Sequence, residues 1–83
     1  MKISLDYDGT YTRDPELWKQ FVAIAKQRGH EVTIVTGRSP AEVIRNVELP
    51  IVYCSRTAKR NHFQVDVWID DEPQWIVEDQ VKK

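Results

Sequence analysis

The sequence has very little cysteine, no excess of charge of either sign and no long apolar run. Cys54 is the single cysteine, which excludes an intrachain disulfide and favours a reducing compartment. With 12 basic and 13 acidic residues, the overall charge indicates neither a nucleic-acid nor a membrane partner. No stretch is long enough to span a bilayer, and the first residues do not have a signal-peptide layout. We therefore expect a soluble, cytoplasmic protein.

Repeats, linkers and low-complexity segments are also missing. At 83 residues the chain has the length of one small domain, spanning 1–83. Short apolar runs predict strands at residues 3–5, 32–35, 51–53 and 65–69, and a last edge strand at 75–77.

A helix is predicted between the first two strands. Asp14 suits its N-cap, Pro15 its first position and Gly29 its end. The apolar residues at helical spacing are Leu17, Phe21, Ile24 and Ala25.

The stretch SPAE, residues 39–42, predicts a second helix, because it is a capping box with proline at the first helical position. This helix would run through Val47 and end at Pro50. A further brief helix is expected within residues 58–63. Alternating strands and helices predict parallel strands joined by crossovers, with helices on both faces. The expected fold is a compact, three-layer, Rossmann-like α/β domain with a small, mostly parallel sheet.

Polar residues follow the predicted strands at the edge where ligands gather in such sheets. They are Asp6 after the first strand, Thr36 at the end of the second, Cys54 and Ser55 after the third, and Asp70 and Asp71 after the fourth. The acids on this edge, with Asp8, would repel one another unless a cation lay between them. Oxygen ligands alone suit Mg²⁺, which in turn attracts phosphate.

Four motifs occur in order: DYDGT at 6–10, VTGR at 35–38, Lys59, and WIDDEP at 68–73. Taken alone, the acidic motifs are typical of capped turns and polar loops, and Lys59 is one of several cations. Together the motifs resemble the haloacid dehalogenase superfamily of phosphohydrolases, in particular its small, capless, stand-alone members, which phages often encode. The chain departs from that pattern at Tyr11, where an aliphatic residue is common, and in its short length.

The resemblance implies a role for each matched residue. Asp6 would be the nucleophile that forms an aspartyl-phosphate, and Asp8 the general acid and then the base. The metal ligands would be Asp6, Asp8 through its backbone carbonyl, Asp70, and Asp71 directly or through water. The phosphate-binding residues would be Thr36 and Lys59, and Gly9 would permit a tight turn that turns backbone N–H groups towards the phosphate.

The expected function is a Mg²⁺-dependent phosphatase, that is, a phosphomonoester hydrolase. A cap domain has no room between Asp8 and Asp14 or between Val47 and Lys59. An open site should admit a phosphate carried on a nucleotide, a nucleic-acid end or another bulky molecule. The small core and the three tryptophans favour a homodimer.

Other interpretations stay open. The alternative function is a non-catalytic phosphate- or nucleotide-binding module that retains the metal site. A receiver-like signalling domain is disfavoured, because its phospho-acceptor ends a middle strand rather than the first. For Arg38, a solvated side chain and a substrate contact are equally good interpretations. The basic cluster at residues 55–62 is more typical of a solvated helix face than of a polyanion site.

Overall fold

A computed structural model describes residues 1–80 of the chain. The strands are β1 (Lys2–Leu5), β2 (Glu31–Thr36), β3 (Ile51–Tyr53) and β4 (Val67–Ile69). The helices are α1 (Pro15–Gln27) and α2 (Gln74–Val77), and single 3-10 turns lie at Tyr11–Arg13 and Lys59–Asn61. The first four predicted strands are thus present, although β4 begins at residue 67 rather than 65. Within the described residues, no helix has the length and apolar character needed to cross a membrane.

The four strands form one all-parallel sheet in the order β3-β2-β1-β4. β1 lies inside the sheet, and its Leu5 is in register with Ile34 of β2 and Ile69 of β4. Leu5 and Ile34 are completely buried, as expected for inner strands of a parallel sheet. The sheet and its crossovers make a small α/β domain that is consistent with a Rossmann-like fold.

Helix α1 begins and ends at the predicted signals. The Asp14 carboxylate accepts a hydrogen bond from the backbone N–H of Leu17 at 3.2 Å, which satisfies one free donor of the first turn. Gly29 follows the helix with a φ of 86°, a left-handed conformation that suits glycine.

The buried face of α1 differs in part from the predicted stripe. The helix packs on the core through Trp18, Phe21, Val22 and Ala25. Leu17 and Ile24, expected in that stripe, are 52 % and 57 % exposed. The apolar spacing therefore identified the helix and half of its buried face. Phe21 and Ala25 pack on the core as predicted, whereas Trp18 and Val22 take the places expected for Leu17 and Ile24.

The helix predicted from SPAE is wrong, because the chain is not helical between residues 37 and 50. The capping bond of Glu42 does form, since the Ser39 N–H donates to the Glu42 carboxylate at 2.7 Å. However, the Glu42 carbonyl accepts from the Arg38 guanidinium at 3.3 Å, and the Ile44 N–H donates to the Tyr53 hydroxyl at 3.1 Å. These side-chain partners replace the bonds that would continue a short helix, whose nucleation is costly.

The edge strand predicted at 75–77 is also wrong, because these residues belong to helix α2. The turn starts at Glu72, whose carbonyl accepts from the Trp75 N–H at 3.1 Å, and Pro73 accepts from Ile76 at 3.0 Å. Proline is favourable at the start of a helical turn, where no N–H partner is needed. The brief helix expected within 58–63 is the 3-10 turn Lys59–Asn61.

Candidate functional site

The candidate site lies at the carboxyl ends of β1 and β4, where the direction in which strands are added to the sheet reverses. From β1 the chain moves outward through β2 to β3, and then crosses back to place β4 on the other side of β1. Ligands of parallel sheets bind beyond the carboxyl ends of the strands at such a reversal. Asp6 follows β1, Asp70 follows β4, and the Asp6 N–H donates to the Ile69 carbonyl at 3.0 Å. The two strand ends are therefore held side by side.

Three carboxylates meet at this point. Asp6, Asp70 and Asp71 each offer an oxygen within 4.8 Å of the others, and we call them the carboxylate cluster. The Thr10 hydroxyl lies 3.1 Å from an oxygen of Asp6 and 3.0 Å from one of Asp71. Since a hydroxyl has one proton, it donates to one of these carboxylates at a time. It also accepts from the Asp71 backbone N–H at 3.2 Å, so Thr10 joins the two halves of the cluster.

Lys59 is the buried cation of the site. Its ammonium donates to Asp6 at 2.8 Å and to Asp70 at 2.5 Å, and the residue is only 3 % exposed. The 3-10 turn Lys59–Asn61 delivers this side chain from the crossover between β3 and β4. Burial disfavours the charged ammonium, but the bonds to the two carboxylates outweigh it and raise the pKa of Lys59.

Among residues 1–80, one buried ammonium faces the three carboxylates. Burial raises the pKa of Asp6 to about 7, with Asp70 adding repulsion, even though Lys59 acts in the opposite direction. Burial likewise opposes ionisation of Asp71, but hydrogen bonds from Asp6 and Thr10 lower its pKa. Because burial is the largest cause of this rise, a cation beside Asp6 would favour its ionised form.

The residues present fit a hard divalent cation. The carboxylate cluster supplies oxygen donors only, from two segments that the fold holds together, and its surplus negative charge would be balanced by a dication. Mg²⁺ prefers a few carboxylate ligands and retains water in its remaining positions. Asp6, Asp70 and Asp71 are the side chains that would hold it.

A cavity of about 390 Å³ opens beside the cluster. Thr36 lines it, is 1 % exposed, and accepts a hydrogen bond from the Arg38 N–H at 3.2 Å. A larger groove of about 730 Å³ lies between α1 and residues 45–49, but Glu48 is the only acidic residue among the described ones that line it. The chemistry of the lining, rather than the volume, therefore assigns the site to the smaller cavity.

Gly9 brings the DYDGT turn close to the cluster. Its φ is 88°, and a Cβ at this position would lie 2.6 Å from a carboxylate oxygen of Asp71. Its N–H donates to the Thr12 hydroxyl at 3.0 Å, so this group already has a partner within the turn. The glycine thus permits the close approach of Asp71.

Asp8 lies on the cavity wall, but its side chain is outside the carboxylate cluster. The Arg38 guanidinium binds both of its oxygens, with Nε at 2.8 Å and NH2 at 2.9 Å. The Asp8 side chain is 55 % exposed in this ion pair. The two acids of DYDGT are therefore separated: one is buried beside Lys59 and the other is exposed beside Arg38.

The structure adds residues to the site that sequence reasoning did not select. They are Thr10, Arg56, Trp75 and Gln80, all of which touch the cluster or line the cavity. Thr10 had a usable signal, since it is the threonine of DYDGT. Gln80 had no signal in the sequence, because its contacts join distant parts of the chain. Its side chain reaches Gly37, and its N–H donates to the Arg56 carbonyl at 2.7 Å.

No protein-family model matches this chain, and comparison with curated proteins and with solved structures gives no match either. The functional argument therefore depends on the geometry of the site.

Proposed function

We propose that the protein is a Mg²⁺-dependent phosphomonoesterase of the haloacid dehalogenase type, with a capless, three-layer fold. The observation that supports this most directly is the carboxylate cluster, bridged by Lys59 on the wall of a cavity that Thr36 also lines. Right-handed crossovers would place α1 on one face of the sheet and the β3–β4 connection on the other. That arrangement would give the three layers.

In the proposed reaction, the Asp6 carboxylate attacks phosphorus, the bond from phosphorus to the alcohol oxygen breaks, and the alcohol leaves with a proton from Asp8. Water then attacks the aspartyl-phosphate, gives a proton to Asp8, and releases inorganic phosphate with the Asp6 carboxylate restored. Lys59 would keep Asp6 oriented, and the Thr36 hydroxyl would donate to a phosphoryl oxygen. Mg²⁺, when bound, would neutralise the negative charge of the phosphoryl oxygens.

Asp8 must leave Arg38 before it can transfer a proton. The pair is bidentate but partly exposed, so solvent screens it and its opening would cost less than that of a buried pair. The same observation favours a second candidate function, a phosphate- or nucleotide-binding module that holds the metal without turnover. In such a module Asp8 would keep its partner.

The candidate partners are phosphorylated molecules large enough to need an open site, such as a nucleotide or a nucleic-acid end. The homodimer expected from the sequence stays a prediction, and light scattering at micromolar concentration would test it.

Phosphate release from an aryl phosphate tests the proposed function. We expect activity that requires Mg²⁺, is abolished by EDTA and falls at least about a thousandfold in Asp6→Asn, because the nucleophile is lost. Asp66→Asn is the matched control, since Asp66 is an exposed aspartate before β4, at the end of the strand away from Asp70. Equal rates in wild type and Asp6→Asn would refute the assigned nucleophile. Tight nucleotide binding without any phosphate release would support the binding module.

A further inference from the structure

The charged residues around the cavity are sorted along the edge of the sheet. The acids of the carboxylate cluster follow β1 and β4, which are neighbours, whereas Arg38 follows β2 and Arg56 follows β3. Both arginines line the same cavity as the cluster. The cavity therefore has an acidic half, suited to a cation, and beside it a half with two arginines, which are paired with Asp8 and Glu42.

Arg38 is held in position by several contacts. Its guanidinium lies 5.1 Å from the ring centroid of Tyr7, donates to the Glu42 carbonyl and binds the Asp8 carboxylate through two nitrogens. Stacking and the backbone contact would persist if the carboxylate were exchanged for another anion. The side chain is thus preorganised to accept an anion in a forked geometry.

Arg56 occupies an unusual backbone conformation. Ser55 and Arg56 have φ values of 51° and 61°, a left-handed region that is strained for residues other than glycine. The strained turn is fixed to the end of β2, because the Arg56 N–H donates to the Gly37 carbonyl at 2.8 Å and the Ser55 N–H to the Arg38 carbonyl at 3.1 Å. These bonds place the two arginines next to each other, and backbone strain of this kind is frequent at ligand-binding sites.

The carboxylates that now bind the arginines are exchangeable. Arg56 pairs with Glu42, and the two side chains are 48 % and 42 % exposed. Solvent reaches both pairs and screens them, so another anion can take the place of either carboxylate. A phosphate group presents the same forked acceptor with more charge, so it competes well for either guanidinium.

We propose that Arg38 and Arg56 bind a second anionic group of the substrate. The substrate class would be an organic phosphomonoester that carries another phosphate, with the first phosphate at Asp6 and the second on the arginines. Trp75 on the same cavity wall offers an aromatic surface to a nucleoside lying between them. This inference rests on the proposed function, because it assumes that the hydrolysed phosphate binds beside the carboxylate cluster.

The experiment compares three probes: adenosine 5′-monophosphate, adenosine 3′,5′-bisphosphate and a 5′-phosphorylated dinucleotide. We expect kcat/KM to be at least about tenfold higher for the two probes with a second phosphate, the effect of one or two charged hydrogen bonds. A preference for the dinucleotide would indicate a nucleic-acid end as the source of the second phosphate, and a preference for the bisphosphate a small molecule.

Arg56→Gln and Arg38→Gln should each reduce this preference about tenfold. Arg60→Gln is the matched control, because Arg60 is exposed and does not line the cavity; its preference should equal that of wild type. Either cavity variant alone tests the inference if the other does not fold, as judged by circular dichroism. A wild-type enzyme that is active but shows no preference, or a preference that neither variant changes, would overturn the second-anion site and leave the phosphatase proposal standing.

If the aryl phosphate and all three probes resist hydrolysis, the proposed phosphatase fails, and dissociation constants from calorimetry with Mg²⁺ replace kcat/KM. Hydrolysis of the aryl phosphate but of none of the probes would overturn the second-anion site and leave the phosphatase proposal standing. Tighter binding of the probes with two phosphates, lost in Arg56→Gln but not in Arg60→Gln, would support the arginine site on its own. Equal binding of all three probes would overturn it.

Discussion

The carboxylate cluster and the rim of the same cavity, which consists of the Arg38–Asp8 and Arg56–Glu42 pairs, differ in burial and in charge balance. In the cluster, Asp6 and Lys59 are almost completely buried, and one ammonium faces three carboxylates. On the rim, Arg38 pairs with Asp8, and Arg56 pairs with Glu42, all at the surface. Both regions contain close ion pairs, but within the part of the chain that the structure describes only the cluster has more carboxylates than cations.

This difference indicates what each region can do. A buried charge without a partner is costly, so the cluster is stable only with Lys59, and it gains further from an added cation. Exposed pairs contribute little and exchange partners easily, so the rim can receive an anion. The following variants test that contrast, from the largest expected effect to the smallest.

Lys59→Met should cause the largest loss of stability. Removing the ammonium leaves Asp6 and Asp70 buried without their cation, and breaking a buried pair costs about 3–5 kcal/mol. Urea unfolding measures the free energy of unfolding, and Lys19→Met, at an exposed position of α1, is the control. A loss no larger than that of the control would contradict the account of the cluster.

Gly9→Ala should be the next most damaging change. Gly9 and Gly29 have nearly the same φ, 88° and 86°, but only the Gly9 position has Asp71 within contact of a new Cβ. We expect Gly29→Ala to cost about 1 kcal/mol for the backbone conformation and Gly9→Ala about 1–2 kcal/mol more. Thermal or urea unfolding compares the two, and equal losses would mean that Asp71 can move away freely.

Asp70→Asn should weaken Mg²⁺ binding at least about tenfold, equivalent to 1.4 kcal/mol, because one of three carboxylates is neutralised. Titration calorimetry with magnesium chloride measures the affinity. Asp66→Asn, at the opposite end of β4, should bind as wild type does. Equal affinities in the two variants would place the metal elsewhere.

The Glu42–Arg56 pair should give the smallest effect, visible mainly as a titration. Hydrogen bonding to Arg56 lowers the pKa of Glu42 from 4.5 to about 2. Because the folded-state pKa is below the unfolded one, the stabilisation is present above pH 4.5 and is lost as the pH falls towards 2. Carboxyl NMR should show the Glu42 pKa returning towards 4.5 in Arg56→Gln; an unchanged low value would contradict the pairing.

The sequence was a good guide wherever local chemistry decides the structure. Apolar runs located four strands, and Asp14 with Gly29 located α1, since caps and glycine turns act within a few residues. The rule that ligands bind beyond the carboxyl ends of parallel strands led to Asp6, Asp70 and Asp71, which the fold brings together.

The failures depend on side-chain contacts that local patterns do not specify. Glu42 of SPAE accepts from the Ser39 N–H, but its carbonyl accepts from Arg38 and the Ile44 N–H donates to Tyr53 instead of continuing a helix. The pairing of Asp8 with an arginine 30 positions away was equally invisible, because nothing near Asp8 in the sequence specifies it. The left-handed turn at Arg56 depends on backbone partners from another strand end.

A crystal structure with Mg²⁺ and beryllofluoride, a mimic of a phosphoryl group on aspartate, tests the central claim most directly. We predict one cation held by Asp6, Asp70 and Asp71, and beryllofluoride attached to the Asp6 carboxylate within reach of Thr36 and Lys59. Binding of Mg²⁺ and beryllofluoride at other positions would contradict the central claim. So would a carboxylate cluster that keeps its present contacts and holds no cation at saturating Mg²⁺.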